Sequence, residues 1–575
     1  MTTSRHAVWG DKAVLVAAAL AVVVLTLLQD PRIFFPGLGD LSLWDEAKYM
    51  NFGRELAEKG VLCKIAWGPV LALFHAVIYI GLNAGDAWMQ AGTTVARLVL
   101  GFLLCLTVMR MFPSVSRELK PWHAAFPILA VPVLDTLMGN SSDALFTVLS
   151  CAVLTIVLRF VKDRELRILP IAIASFLVGC AALVRPDGFP LFAVFVLLVY
   201  LFAGRGQRIR CLISAVTPFA LLVVVAYIVS GETRGQYMVG LRDRSYIAFR
   251  QGHLFIYGDK FRYYWEADAD FERVYGGYEK NRGTILLGVM HNPGAMARRV
   301  ARHVVFQLPG AIRRAYGPFV LIVLALACRG AVALYRKGER RTLLVLLAWV
   351  SPLLAYLATF YREGYLLFAF PIVAALAAEG AHACFHHADR LREKVFGIAV
   401  GAVVVFQGIC ERSLVAVLGG SVVLASVAFF SLGLPAKSRR MALLFPAAAL
   451  ALLLACLRIS ERDRPPLNTA SAETVYRVLL TSFPPGSRIV APFPGIVWAA
   501  RREFILHPVV HDTSEASRWL ENNPVEGVVI YEPHAPGPCL RDALRGRAGV
   551  FDLLYSGDGY EVYRRADPPG AKQPG

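Results

Sequence analysis

The sequence predicts a polytopic α-helical membrane protein that carries a small C-terminal α/β domain outside the membrane, and three observations predict it. Apolar residues make up 56% of the 575 residues and charged residues 18%, with a positive mean hydropathy; no soluble domain of this size needs so much apolar surface. Apolar windows of about 20 residues recur along most of the chain, each long enough to cross a bilayer as a helix. The composition then shifts after residue 463, where prolines and a strand–helix rhythm replace the apolar runs.

The windows fall near 13–29, 93–111, 123–138, 144–161, 168–184, 189–203, 211–229, 316–334, 342–360, 365–381, 395–410, 413–434 and 441–457, thirteen in all. Lys and Arg are retained on the cytoplasmic side of short loops. With the N-terminus (Arg5, Lys12) inside, every second short loop is basic: Arg117 and Lys120, then Arg159 to Arg167, Arg205 to Arg210, Arg336 to Arg341, Arg390 to Lys394, and Lys437 to Arg440. The net charge of +18 is therefore mostly a topology signal, which excludes nucleic acid as the expected partner and leaves the bilayer. The first window ends in Leu-Gln-Asp-Pro-Arg with no small-residue cleavage site, so it reads as a retained helix rather than a signal peptide; the Ala/Arg/Val-rich composition points to a GC-rich bacterial host and hence an inner (plasma) membrane.

Residues 68–82 are apolar, yet counting them as a span would invert every later basic loop, and the run is short for a bilayer. They read as a helix lying in the outer interface. Three regions then project outward: 30–92, 231–315, and 458 to the C-terminus. The expected division is a membrane domain over 1–457 with outer loops 30–92 and 231–315, an extracytoplasmic α/β domain over 458–566, and a disordered tail over 567–575. Of the ten cysteines, most lie in apolar spans and read as small hydrophobes; Cys63 and Cys539 are outside and could form a bridge.

Chemistry is expected among the outer regions. Asp45 and Glu46, in Trp44-Asp45-Glu46-Ala47, open a helix over 46–59 whose Tyr49, Phe52, Gly53, Leu56 and Ala57 share one side, opposite Lys48, Arg54, Glu55, Glu58 and Lys59. The two acids read either as part of a helix start, since Ser42-x-x-Asp45 has capping-box spacing, or as a catalytic pair. Cations recur at the same level. Arg97 begins the second span, Arg185 and Asp187 lie in Leu-Val-Arg-Pro-Asp-Gly, and Arg362 lies in Phe-Tyr-Arg-Glu-Gly-Tyr; each arginine either snorkels, pairs within its loop or binds an anion. Asp143, in Asn-Ser-Ser-Asp, caps its helix or joins the same site. A sugar transfer from a lipid phosphate needs one carboxylate to take the acceptor proton and cations to hold the leaving phosphate, and both recur here.

The second outer loop is dense in aromatic and basic residues, among them Arg250, His253, Tyr263 and Tyr264. The mixture suits a sugar platform or a loop anchored in headgroups. Met296 to Arg314 reads as an interfacial helix leading into the next span. Beyond 463 the pattern gives a helix over 470–481, a strand at 488–490, a helix over 514–522, a strand at 528–530, and strands near 550–555 and 560–564. His507 and His511 have metal-pair spacing, but Pro508 breaks the helix that would align them, so no metal is expected.

These motifs together resemble GT-C glycosyltransferases of the protein O-mannosyltransferase and lipid A aminoarabinose transferase superfamily. Trp44 to Tyr49 resembles the acidic motif of the first interfacial helix, Gly68-Pro69-Val70-Leu71 the second, Ala96-Arg97-Leu98 the start of the next span, Asn140 to Asp143 a polar turn, and Arg362 to Leu367 the segment near the donor phosphate. The C-terminal region resembles the periplasmic cap of the aminoarabinose transferases. Two departures stand out. Ala66-Trp67-Gly68-Pro69 has one proline and no charge, and Arg362 is followed by Glu363-Gly364 rather than directly by Tyr-Leu.

The resemblance implies an inverting transfer from a polyprenyl-phosphate sugar to a glycolipid, polysaccharide or protein hydroxyl on the extracytoplasmic face, with no nucleotide and no cofactor. It implies Asp45 as the base and Glu46 in support; Arg97, Asp143, Arg185, Asp187, Arg362 and Tyr365 are expected at the donor. Lys48, Tyr49, Arg250, His253, Tyr263 and Tyr264 are expected at the acceptor. A polytopic transporter and a non-catalytic assembly factor for envelope polysaccharide are the competing classes. Against a transporter, no pair of Gly/Pro-broken helices stands at matching positions of two halves.

Overall fold

A computed structural model describes residues 44–63, 67–83, 87–116, 119, 141–163, 167–230, 236–257, 264–316, 320–357, 366–386, 402, 469–508, 510, 512–531, 537–547, 549–557 and 559–566. Of the expected spans, those at 13–29, 123–138, 413–434 and 441–457, and all of 395–410 but residue 402, lie outside these residues, as do Arg362, Tyr365, Tyr263 and His511. Backbone packing divides the chain into two compact units: one of 1–30, 63–71 and 98–462, the other of 31–62, 72–97 and 463–575. Residues 31–62 and 72–97 thus group with 463–575 by backbone packing.

The first unit is helical. Its apolar helices are α3 (Trp88–Val115, from Leu98 onward), α4 (Ser141–Asp163), α5 (Ile168–Val184), α6 (Gly188–Phe202), α7 (Arg208–Val229), α13 (Val320–Arg336), α14 (Arg340–Val350) and α15 (Phe370–His386). Among the described residues, four helical stretches are long and apolar enough to cross a membrane: Trp88–Val115, Ser141–Lys162, Arg208–Val229 and Leu367–Cys384. Along α7, Ile213, Leu221, Val224, Ile228 and Val229 are all exposed. A row of bare aliphatic side chains of this length is stable only against lipid. The protein is a helical membrane protein.

Proline and glycine set the local geometry of these helices. Pro218 removes a donor inside α7, and Ser175 of α5 repairs the break: its hydroxyl donates to the Ala215 carbonyl at 2.5 Å and accepts from the Phe219 amide at 3.1 Å. Helices α13 and α15 touch backbone to backbone, because a Cβ on Gly330 or Gly380 would strike the carbonyl of Leu376 or Leu326. Beside that contact the fully buried Glu379 accepts from Lys337 at 2.6 Å. The window expected to be one helix over 342–360 changes at Ser351, where α14 tightens into a 3₁₀ segment Ser351–Leu357. Pro352 explains this, since it cannot continue the α ladder.

The stretch expected to be the second outer loop is folded. It comprises α8 (Gln236–Tyr257), α9 (Tyr264–Tyr275), α10 (Ile285–His291), α11 (Pro293–Arg302) and α12 (Leu308–Tyr316). Tyr246, Phe249, Phe271, Tyr275 and Ala295 make its core. Buried Asn281 stitches the turn by donating to the Tyr275 and Gly276 carbonyls at 2.8 and 2.9 Å. The single helix expected over 296–314 is split by a π turn, His303–Gln307, just before Pro309, whose missing N–H leaves the wider turn favourable.

The second unit joins α1 (Trp44–Lys59), most of α2 (Pro69–Leu82) and the start of α3 to an α/β layer. That layer runs α16 (Thr469–Ser482), β1 (Arg488–Ala491), α17 (Pro494–Ala499), β2 (Glu503–Leu506), α18 (Thr513–Asn522), β3 (Gly527–Tyr531), α19 (Gly537–Arg545), β4 (Phe551–Gly557) and β5 (Tyr560–Arg565). The five strands lie in the order β2-β1-β3-β5-β4. β1 is parallel to β2 and β3, whereas β5 is antiparallel to β3 and β4. Strands β1 and β3 sit centrally, so Ile489, Val490, Val528, Val529 and Ile530 are buried.

Candidate active site

The acidic turn of α1 separates its two carboxylates by environment. Successive helix residues point about 100° apart, and here that step takes Asp45 to the exposed side and Glu46 to the buried side. Glu46 is 3% exposed and stands 4.0 Å from Nε2 of His75 on α2. Burial lowers the His75 pKa from its ordinary value, and the nearby Glu46 only partly opposes that. The helices meet closely because residue 53 is glycine: a Cβ there would lie 2.5 Å from the His75 Cβ and 2.8 Å from the Ala76 amide. Acid and imidazole thus face each other across a glycine crossing.

The face of α1 expected to meet headgroups is covered by protein instead. Ala47 and Met50 join a core with Trp88 and Met89 of α3, Val475 and Leu479 of α16, Ile489 of β1, and Ile496 and Val497 of α17. Tyr49 is buried, and Lys48 is half-buried with its ammonium 5.8 Å from the Phe52 ring centroid. Arg54, expected on the polar side, is buried as well. Arg97 is buried about two and a half turns into α3 rather than in its first turn, because the helix begins earlier than hydropathy indicates, at Trp88.

In the first unit three of the expected donor residues, Asp143, Arg185 and Asp187, form one cluster. Arg185 precedes Pro186, which biases it to the extended backbone observed (φ −145°, ψ 141°) and ends α5. The following turn closes tightly, with the Gly188 amide donating to the Arg185 carbonyl at 3.0 Å. A Cβ on Gly188 would collide with the Ala182 backbone. Arg185 then ion-pairs with Asp143 through Nη1 and with Asp187 through Nε, the latter at 2.8 Å. Asp143 lies inside the first turn of α4, where the helix dipole favours its charge, so it is not the cap residue. The cluster holds one cation between two carboxylates.

The remaining described candidates belong to helices α8 and α9. Arg250 pairs with Asp268 at 3.3 Å, and buried His253 bonds Asp270 at 2.8 Å, ringed by Tyr257, Phe271 and Tyr275. Burial alone would raise Asp270, but hydrogen bonds from Arg273 and His253 hold it below the ordinary carboxylate value. Tyr264 begins α9. Arg299 is enclosed nearby, donating to the Phe249 carbonyl at 2.7 Å, and burial pushes its guanidinium down to about 10. In the α/β layer, His507 bonds the Val529 carbonyl at 2.8 Å and Cys539 is a thiol, as is Cys63 after α1. Among the described residues, no group of three or more His, Cys, Asp or Glu is arranged to hold a metal.

Arg54 and His75 escaped the sequence reading. His75 carried a signal, as the one imidazole in the apolar run 68–82. Arg54 carried only its spacing to Glu58.

No protein-family model matches the sequence, and no curated protein matches it either. Solved structures do. ArnT from Cupriavidus metallidurans, in its apo state, is similar with a TM-score of 0.52 at 15% identity, over 95% of this chain and 98% of that one. An Archaeoglobus fulgidus oligosaccharyltransferase tethered with an acceptor peptide containing the NVT sequon is similar with a TM-score of 0.52 at 15% identity, over 98% of this chain and 75% of that one. The chain has the GT-C fold of these two proteins.

Proposed function

We propose that the protein is a membrane glycosyltransferase that moves a sugar from a polyprenyl-phosphate donor to an acceptor hydroxyl on the extracytoplasmic face. The observation that carries this reading is Asp45: an exposed carboxylate in the first turn of a helix that is otherwise built into a protein core, in a chain with the fold of ArnT and an oligosaccharyltransferase. In this reading thirteen helices span the inner membrane, the N-terminus is cytoplasmic, and the α/β domain is extracytoplasmic.

Asp45 accepts the proton of the acceptor hydroxyl as its oxygen attacks the anomeric carbon. The bond from that carbon to the phosphate oxygen breaks, the configuration inverts, and the polyprenyl phosphate leaves with the bonding electron pair. A phosphate leaves as a stable anion, so one carboxylate suffices. Arg97 and Arg362 hold the departing charge. Arg185, already between two carboxylates, acts by fixing Asp143 and Asp187 towards sugar hydroxyls. Glu46 acts inside the protein, against His75, and not on the acceptor.

The test is a deletion strain complemented with the wild-type chain or with Asp45→Asn, its glycolipids and glycoproteins compared by mass spectrometry. The wild type restores a missing sugar modification and Asp45→Asn does not. Full restoration by a normally inserted Asp45→Asn chain removes the base assignment.

A further inference from the structure

Arg54 makes contacts that packing alone does not need. It lies on α1 and is 8% exposed. Its Nη1 donates to the carbonyl of Trp498, in α17 of the α/β layer, at 3.2 Å. Its Nε stands 3.8 Å from the Glu58 carboxylate, and its guanidinium lies 5.5 Å from the ring centroid of Trp88, at the start of α3. Glu58 in turn accepts from the Tyr79 hydroxyl of α2 at 2.5 Å, and the Tyr79 ring meets Trp88 edge-on at 5.3 Å. One guanidinium therefore reaches α17 and α3 directly and α2 through one carboxylate.

The apolar core already holds α1 on the α/β layer, but apolar contact is non-directional and leaves rotation and axial slide weakly defined. A planar guanidinium hydrogen-bonded to a carbonyl, ion-paired with a carboxylate and placed over an aromatic face constrains both. Burying that charge is costly, and a methionine of similar volume would pack there at less expense. What the arginine adds is register. Each residue of axial slip moves the acidic turn by about 1.5 Å, and misplacement of a catalytic group by about 1 Å can cost around a hundredfold in rate.

The geometry points to Arg54 as a positioning residue through which the C-terminal α/β domain sets the register of α1 and so the placement of Asp45. This rests on the reading of Asp45 as the base. It gives the α/β domain a role in the reaction, as the frame of the acidic helix.

The test uses the full chain in phosphatidylethanolamine/phosphatidylglycerol nanodiscs, comparing wild type, Arg54→Met, Arg54→Lys and Asp45→Asn. In Arg54→Met, amide hydrogen exchange across 47–59 rises tenfold or more while strands β1 and β3 keep their protection. Sugar transfer, assayed with the lipid-linked sugars extracted from the host membrane, loses at least tenfold in kcat with the donor KM held within twofold. Arg54→Lys, which keeps the charge beside Glu58 without the planar fork, recovers part of that kcat. Unchanged exchange over 47–59 in Arg54→Met overturns the proposal, as does raised exchange with unchanged kcat when Asp45→Asn is inactive. If Asp45→Asn retains transfer, the base assignment fails on its own, and exchange alone decides whether Arg54 sets the register.

Discussion

Asp45 and Asp143 both stand in the first turn of a helix, and their surroundings separate what each can do. Asp45 is exposed, at the edge of a helix that an apolar core of α16, β1 and α17 holds in place. Asp143 is buried and ion-paired to Arg185, which also binds Asp187. The same residue type, helped by the same dipole, is in one place a carboxylate open to a proton and in the other a strut whose charge is committed. A first-turn acid is thus assigned a role by what holds its helix and what already meets its oxygens.

That contrast is broken most directly by paired substitutions. Asp45→Asn should cut sugar transfer by a hundredfold or more, the range of a lost general base, with the thermal unfolding midpoint in detergent unchanged. Asp143→Asn should show the reverse balance: a stability loss of roughly 3 kcal/mol from half-breaking a buried ion pair, with a smaller effect on turnover. Equal effects of the two variants on both measurements would erase the distinction.

The strut can also be tested without touching a charge. Gly188→Ala places a methyl against the Ala182 backbone, which cannot yield as a side-chain end would. The expected cost is about 1–3 kcal/mol, read as a lowered unfolding midpoint, together with loosening of the turn that carries Arg185 and Asp187. Gly53→Ala makes the matching test at the α1–α2 crossing, where the methyl meets His75 and Ala76. It should raise the KM for acceptor or lower kcat through α1, and leave the Arg185 cluster unaffected.

Much of this architecture was legible in the sequence. β-branched runs marked β1 at Ile489-Val490 and β3 at Val528 to Ile530, because central strands buried on both faces must be apolar. β2, Glu503-Phe504-Ile505-Leu506, escaped because it is an edge strand whose residues are half-buried or exposed, so no alternation was imposed on it. α17 starts with Pro-Gly and runs for only six residues, which resembles a loop. Among the described residues, hydropathy found the apolar helices but not the early start of α3 or the 3₁₀ turn at Ser351-Pro352. At the site, Asp45, Glu46, Asp143, Arg185 and Asp187 were each visible as polar residues beside apolar spans, whereas their pairings were not. Arg54 was least legible: its partner from the α/β layer is a backbone carbonyl at Trp498, and a carbonyl leaves no mark in a sequence.

The smallest expected effect concerns the buried pair behind Asp45. His75 is held below its ordinary value of 6.5, chiefly by burial, with Glu46 opposing. The unfolded chain therefore binds a proton at His75 before the folded chain does, so its contribution is fully present above about pH 6.5 and is lost as pH falls through the window between the ordinary and the lowered value. Acidification from pH 7.5 to 5.5 should thus raise amide exchange at the α1–α2 crossing, around residues 50–54 and 74–77, before it affects α13 and α15. His75→Phe, which cannot take the proton, should flatten that dependence even if it lowers stability throughout. An unchanged pH slope in His75→Phe would trace the acid sensitivity to another group, and Glu46 would lose its reason for being turned inward while its neighbour Asp45 is turned out.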